Sequence, residues 1–155
     1  MPPGSDIFAS GAEVLVNPVD AATGAQGKGL AKLFAQRFPF AAKSYQRIAR
    51  RGDMQAGRVW VHDDIGRWIF FAATKRHWRD DAHLRDVSIC AMAIRRLVIS
   101  LMPHGAASIA IPALGCGEGR LAWDDVCQVL EIEARAMARA GIRVMLHEPH
   151  ERGGQ

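Results

Sequence analysis

The sequence has few cysteines and no long hydrophobic run. Its three cysteines, Cys90, Cys116 and Cys127, are odd in number and lack the spacing of metal ligands. We therefore expect no bound metal and a reduced, cytoplasmic setting. No apolar run approaches the ~20 residues that span a bilayer, so no membrane partner is expected. Residues 1–8 also lack the basic and apolar parts of a signal peptide.

The composition is that of an ordinary folded domain. Of the 155 residues, 49% are hydrophobic and 23% are charged, which predicts one soluble domain over residues 1–155, expected to be monomeric. The ends, residues 1–5 and 148–155, are expected to fray. The net charge of +4 fits an anionic partner, and a solvated basic surface explains the charge equally well.

Hydrophobic patterning predicts alternating strands and helices. We expect strands at 13–17, 58–62, 68–72, 108–111 and 142–146, and helices at 29–38, 41–50, 83–101 and 123–140. Pro18 is expected to end the first strand and Pro39 the first helix. A turn at 63–67 predicts one hairpin. The alternation elsewhere predicts an α/β class fold, a three-layer α/β/α sandwich with a mixed, mostly parallel central sheet.

Two glycine-rich loops each follow an apolar strand and precede a helix. The loop at 115–119 contains three glycines, and the loop at 24–29 contains three more. Glycine backbone can approach a phosphate closely, and a helix N-terminus adds positive potential. A lone loop of this kind is more often a tight turn. The pair indicates a ligand with two or more anionic or polar ends.

Several segments carry a resemblance to a known family. They are Ser5-Asp6-Ile7, Val14-Leu15-Val16-Asn17-Pro18-Val19-Asp20, Gly27-Lys28-Gly29-Leu30-Ala31 and Ile111-Pro112-Ala113-Leu114-Gly115-Cys116-Gly117. Together they resemble the macrodomains, which bind ADP-ribose. The block Thr74-Lys75-Arg76-His77-Trp78-Arg79 resembles the DarG type, antitoxins that remove ADP-ribose from thymidine bases in DNA. The terminal ADP-ribose protein glycohydrolase is a more distant relative that shares Thr-Lys here.

The resemblance implies a set of ADP-ribose contacts and no cofactor. Asp6 and Ile7 would hold the adenine, Asn17 the distal ribose, and the two glycine loops would flank the phosphates. The implied contacts are Asp6, Ile7, Asn17, Gly27, Lys28, Gly29, Thr74, Pro112, Leu114, Gly115, Cys116, Gly117, Glu118 and Gly119.

Lys75 and Asp20 are the predicted catalytic residues. A lysine cation could protonate or stabilise the leaving base, or a neutral amine could attack an opened ribose and form a Schiff base. A solvated surface lysine is the alternative. Asp20 could orient the distal ribose or activate water, or it could simply begin a turn. Cys116 fits a packing residue better than a nucleophile.

The basic segment Arg76–Arg79 predicts a contact with single-stranded nucleic acid. Arg76 and Arg79 could neutralise phosphates, His77 adds a polar ring, and Trp78 offers a surface for base stacking. Trp78 could equally be a half-buried anchor of the loop. Arg50 and Arg51 fit a solvated helix face better than a contact.

The resemblance also implies partners and an activity. We expect hydrolysis of thymidine-linked ADP-ribosyl groups on single-stranded DNA, with a toxin-type DNA ADP-ribosyltransferase as a further partner. The alternatives are a reader that binds ADP-ribose without hydrolysis, a protein ADP-ribosyl hydrolase, and a plain nucleic-acid-binding domain. Asp20 in place of a family asparagine and a first loop one residue longer favour the reader. Gly119, where the terminal glycohydrolase has aspartate, favours DNA as the substrate.

Overall fold

A computed structural model describes residues 6–149 of the chain. The strands are β1 (Val14–Asp20), β2 (Val59–Asp63), β3 (Trp68–Lys75), β4 (Ser108–Ile111) and β5 (Arg143–Leu146). The helices are α1 (Gly29–Arg37), α2 (Pro39–Arg50), α3 (Leu84–Leu101) and α4 (Trp123–Arg139). Short 3₁₀ turns lie at Ile7–Ala9 and Met102–His104. Fraying is expected for residues 1–5 and 148–155. Of these, residues 1–5 and 150–155 lie outside the described residues.

The sheet brings the ends of three parallel strands together. Its order is β2-β3-β1-β4-β5, with β1 parallel to both β3 and β4. Only β2 runs antiparallel, through the predicted hairpin with β3. Because the carboxyl ends of parallel neighbours meet at one edge, the segments after β3, β1 and β4 emerge side by side. The sequence places both glycine loops and the basic segment there.

Two apolar layers hold the helices against opposite faces of the sheet. Alternate residues of a strand point to opposite faces, so β1 supplies Val16 to one layer and Leu15 to the other. The layer under α3 and α4 contains Ile94 and Leu130, and the layer under α1 and α2 contains Phe34. This is the predicted α/β/α arrangement.

The expectation that Pro18 ends the first strand is wrong. β1 continues to Asp20, and Pro18 lies in register with Ala72 of β3. Trp68 donates its N–H to the carbonyl of Glu13, so every second residue from Glu13 faces β3 and Pro18 faces β4. The pairing of β1 with β4 involves only Val14 and Leu15. The missing proline N–H therefore falls where no ladder bond is made.

Two other boundaries differ from the expectation. Thr74 and Lys75, which lie beyond the strand expected at 68–72, are the last residues of β3 and are buried. Pro39 ends α1 as predicted, and it is also the first residue of α2, where its missing N–H costs nothing.

Residues Leu84–His104 form a helical stretch long and apolar enough to cross a membrane by length and composition. A helix that forms one layer of a globular fold meets the same criteria. The buried positions of α3, which include Val87, Ile94 and Val98, pack in the apolar layer against the sheet.

Candidate active site

Backbone hydrogen bonds join the three loops at the carboxyl edge of the sheet. The N–H of Ala21 donates to the carbonyl oxygen of Lys75 at 2.9 Å, and that of Ala22 donates to Arg76 at 2.7 Å. On the other side, the N–H of Ala82 donates to the carbonyl oxygen of Gly119 at 2.9 Å. The segment after β3 is thus fastened to both glycine loops, and the structure brings the predicted catalytic, ligand and DNA-contact segments together.

The second glycine loop is closed at its base and open at its tip. Gly115 and Gly119 are buried, whereas Gly117 and Glu118 are exposed. A Cβ at Gly119 would lie 2.6 Å from the carbonyl oxygen of Gly115, but one at Gly117 would meet nothing within 4 Å. Within residues 6–149, no acceptor takes the backbone N–H groups of Gly117, Glu118 and Gly119. The tip therefore offers unpaired donors beside open space.

The first glycine loop presents a similar set of donors at the start of α1. The helix begins at Gly29, and its N-cap residue, Lys28, gives no side-chain cap. The N–H groups of Gly27, Lys28 and Gly29 donate to no acceptor in the described part of the chain. All three residues are exposed, and a Cβ at Gly27 would meet no atom within 4 Å. Uncapped N–H groups and the helix dipole together favour an anion here.

Asp20 holds the loop that follows β1. Its Oδ2 accepts from the N–H of Thr23 at 3.1 Å and from the Thr23 hydroxyl at 2.8 Å. Its Oδ1 accepts from the N–H of Ala25 at 3.0 Å, and the residue is 2% exposed. This is the turn geometry that the sequence offered as one interpretation of Asp20. A role in orienting the ribose stays a prediction.

Tyr45 supports the turn that carries Asp20, a role that sequence reasoning missed. Its hydroxyl donates to the carbonyl oxygen of Asp20 at 2.6 Å, and its ring stacks on Phe71 with centroids 4.7 Å apart. A Cβ at Gly24 would lie 3.2 Å from the Tyr45 ring. Tyr45 therefore fixes both ends of the turn that carries Asp20. The only signal of this role in the sequence was that Tyr45 is the single tyrosine of the chain.

Asn17 is a buried amide whose side chain has no hydrogen-bond partner in the described part of the chain. It is 0% exposed, and neither its side-chain nitrogen nor its oxygen makes a hydrogen bond within residues 6–149. An unsatisfied buried polar group costs ~1–3 kcal/mol. The contact of Asn17 with the distal ribose stays a prediction, because the amide has no exposed surface in this structure.

Lys75 is a buried cation at the end of β3. The residue is 9% exposed, pairs in register with Asp20, and donates from Nζ to the carbonyl oxygen of Trp78 at 3.0 Å. Within residues 6–149 it takes part in no ion pair. Because Lys75 is buried, the structure excludes the alternative of a solvated surface lysine. Lysine is rarely buried without a charge partner.

The basic segment Arg76–Arg79 is exposed and packs largely on itself. The guanidinium of Arg79 lies 4.8 Å from the centroid of the Trp78 ring, and Trp78 is 44% exposed. The Arg79 N–H donates to Nδ1 of His77 at 3.2 Å, and Arg76 pairs with Asp80 at 3.7 Å. The segment thus presents cations and an aromatic surface beside Lys75.

The remaining predicted ligand residues divide into exposed and core positions. Asp6 is exposed and accepts the N–H of Phe8 at 2.8 Å, while Ile7 is buried. Thr74, Pro112 and Leu114 are buried. Leu114 packs in the apolar layer under α3 and α4, so its side chain is structural and only its backbone is placed in the loop.

Cys116 lies between the glycines of the second loop and is partly buried. Burial, with a smaller contribution from nearby Cys127, raises the pKa of its thiol to about 11. Below that pH the sulfur stays protonated, and its S–H donates to the carbonyl oxygen of Leu114 at 3.7 Å. No group of three or more metal-ligating side chains is placed to hold a metal ion within residues 6–149.

Cys116→Ser is expected to leave catalysis within about twofold of wild type, because a protonated thiol is a poor nucleophile. With a pKa of about 11, the thiolate fraction at pH 8 is on the order of 0.001. Alkylation of Cys116, followed by peptide mass spectrometry, should therefore be slow at pH 7 and accelerate toward pH 10. Rapid labelling at pH 7 would contradict the assignment.

Comparison with known proteins gives a match to a protein family. The Macro domain family profile matches residues 16–130. A DNA ADP-ribosyl glycohydrolase of Thermus aquaticus is 36% identical over 143 residues, covering 90% of this chain and 38% of that protein. The present chain therefore spans less than two fifths of that relative.

Solved structures agree with the fold. The macrodomain of Mycobacterium tuberculosis DarG superposes with a TM-score of 0.84 at 29% identity, covering 96% of this chain and 97% of that one. Thermosipho africanus DarTG in complex with ADP-ribose gives a TM-score of 0.79 at 25% identity, covering 97% of this chain and 42% of that one.

Proposed function

Because the chain belongs to the Macro domain family, we propose that it binds ADP-ribose between its two glycine loops and hydrolyses ADP-ribosyl groups linked to thymidine in single-stranded DNA. A similar protein bears the name DNA ADP-ribosyl glycohydrolase, and a similar structure holds ADP-ribose. A toxin-type DNA ADP-ribosyltransferase is the expected partner, and the cytoplasm is the expected setting. No cofactor is needed.

The observation that carries this proposal is the pair of unpaired donor clusters. The N–H groups at 27–29 and 117–119 have no acceptor within the described residues. Each cluster suits one side of a pyrophosphate, which accepts several hydrogen bonds at once. The buried, unsatisfied amide of Asn17 is the third polar group that we propose to turn toward the bound ligand.

The chemistry requires cleavage of a carbon–nitrogen bond at the anomeric carbon. Positive charge grows on the sugar as the bond electrons move to the base nitrogen, which then takes a proton. The ammonium of Lys75 can donate that proton, and water adds to the anomeric carbon to give free ADP-ribose. In the Schiff-base alternative, the neutral amine of Lys75 adds to the anomeric carbon of the opened ribose, and the base leaves with the bond electrons and takes a proton. Water then hydrolyses the resulting imine, which releases ADP-ribose and regenerates the lysine. In both routes Asp20 holds the adjoining loop.

Turnover of two defined substrates tests the proposal. One is a single-stranded oligonucleotide with one thymidine-linked ADP-ribose, and the other is a peptide with glutamate-linked ADP-ribose. We expect ADP-ribose release, measured by chromatography, from the oligonucleotide at least tenfold faster than from the peptide. Faster release from the peptide would replace DNA by protein as the substrate.

A non-catalytic reader is the second candidate, and two contacts favour it. The Asp20 carboxylate is occupied by its own loop, and the Lys75 amine donates to a backbone carbonyl. The reader predicts calorimetric binding of ADP-ribose while both modified substrates remain intact. Release of ADP-ribose in proportion to enzyme concentration would exclude it.

A further inference from the structure

A cavity lies between the end of α2 and the basic segment, beside the predicted catalytic residues. Its volume is about 440 Å³, and its lining includes Ala21, Met54 and Arg76. We call it the α2 cavity. Ala21 directly follows Asp20, and Arg76 directly follows Lys75, so the α2 cavity begins one residue beyond the predicted catalytic pair on both strands. Its size falls within the roughly 300–1,000 Å³ of small-molecule sites.

The lining of the α2 cavity is apolar with two cations. It comprises four alanines and Met54, together with Gly52 and Gln55, and its charged residues are Arg50 and Arg76. Three of the last four carbonyl oxygens of α2 accept backbone N–H groups: Arg47 from Arg51, Ile48 from Asp53 and Ala49 from Gly52. Nearby Asp53 is paired with Arg51 at 3.0 Å.

A second concavity on the other side of Arg76 has the opposite character. It measures about 470 Å³ and is lined by three aspartates, Asp80, Asp81 and Asp86, together with Ala56, His83 and Arg76, which pairs with Asp80 at 3.7 Å. A phosphate is disfavoured among these carboxylates and favoured between Arg50 and Arg76. Of the two routes past Arg76, charge complementarity selects the α2 cavity for a nucleic-acid strand.

We propose that the α2 cavity binds the nucleotide next to the modified thymidine, with its base against the alanines and Met54. The phosphate that joins the two nucleotides then lies between Arg50 and Arg76. This inference rests on the proposed function, because it places the flanking DNA relative to the same reacting centre. It also gives Arg50 a contact, where the sequence alone favoured a solvated helix face.

A charge reversal with a matched control tests the phosphate contact. Arg50→Glu should lower kcat/KM on the ADP-ribosylated oligonucleotide about tenfold, while ADP-ribosylated thymidine nucleoside, which has no flanking phosphate, is cleaved at the wild-type rate. Arg47→Glu makes the same charge change on an exposed residue of the same helix outside the lining. It should stay within about twofold on both substrates. The salt dependence for Arg50→Glu should weaken by roughly 0.7 in log–log slope.

An abasic substitution tests the base contact. Replacing the base on each side of the modified thymidine in turn should lower wild-type kcat/KM about tenfold at one side only, because an abasic nucleotide loses the apolar contact with the alanines and Met54. Ala56→Phe, which fills the lining from a partly exposed position, should remove that difference. Equal rates with and without either base would overturn the base contact.

Failure of the inference differs from failure of the proposed function. The cavity assignment is overturned if Arg50→Glu matches Arg47→Glu, or if it loses as much on the nucleoside as on the oligonucleotide. If wild type binds the modified oligonucleotide without cleaving it, the hydrolysis fails. The same comparison, made on affinity by fluorescence anisotropy, then decides the cavity.

Discussion

Lys75→Ala is expected to lower kcat/KM for ADP-ribose release from the thymidine-linked oligonucleotide by at least ~100-fold. A positioned acid or base contributes ~10²–10⁴-fold, and Lys75 is the buried cation that β3 delivers next to Asp20. Because the proposed phosphate contacts lie in the glycine loops and not at Lys75, calorimetric affinity for free ADP-ribose should fall by less than about threefold. The pair of measurements separates loss of chemistry from loss of binding.

Two further lysine variants sharpen this result. Lys43→Ala, on an exposed position of α2, is the matched control and should retain wild-type activity. Lys75→Arg keeps the cation but cannot form a Schiff base, so activity above that of Lys75→Ala would support the acid role. Covalent trapping of substrate on Lys75 by cyanoborohydride would support the nucleophile. Undiminished release by Lys75→Ala would defeat both.

Gly119→Ala is expected to destabilise the protein by about 2 kcal/mol, which lowers the melting temperature by roughly 4–8 °C. The added Cβ would lie 2.6 Å from the carbonyl oxygen of Gly115 and 2.7 Å from Cβ of Ala82. Neither neighbour has a rotamer by which it could yield. The strain falls on the hydrogen bond that joins the loop to the segment after β3, so affinity for ADP-ribose should fall as well.

Gly117→Ala is the matched control, two residues away in the same loop. A Cβ there meets nothing within 4 Å, and like Gly119 it does not need the left-handed backbone region. Its melting temperature should match wild type. Loss of ADP-ribose affinity without loss of stability would then report a ligand lying against the loop tip. Equal melting temperatures for the two variants would contradict the assigned geometry.

Much of the fold was predictable because its signals are local. A short apolar run such as Ser108–Ile111 and an apolar helical face such as that of α3 can each be identified within a single segment. Both glycine loops were predictable because in each a strand, a glycine-rich segment and the start of a helix follow one another along the chain. Adjacent strand ends then brought Lys75 and the loops together, which the alternation of elements already implied.

The parts that could not be predicted depend on contacts between distant segments. Pro18 is accommodated because β4 pairs with β1 only at Val14 and Leu15, and this register cannot be read from the sequence of β1 alone. Tyr45 supports Asp20 across 25 positions of sequence, and the α2 cavity needs Arg50 and Arg76 to approach from different layers. None of these relations leaves a pattern within one segment.

The Lys75 amine is held by the backbone carbonyl of Trp78 rather than by any side chain. Every amino acid at position 78 offers that carbonyl. The ring and the charges around it can therefore change over evolutionary time, altering the proposed contact with nucleic acid, while the Lys75 amine keeps its hydrogen bond. Recognition and reactivity can diverge separately in this fold, even though they share five consecutive residues.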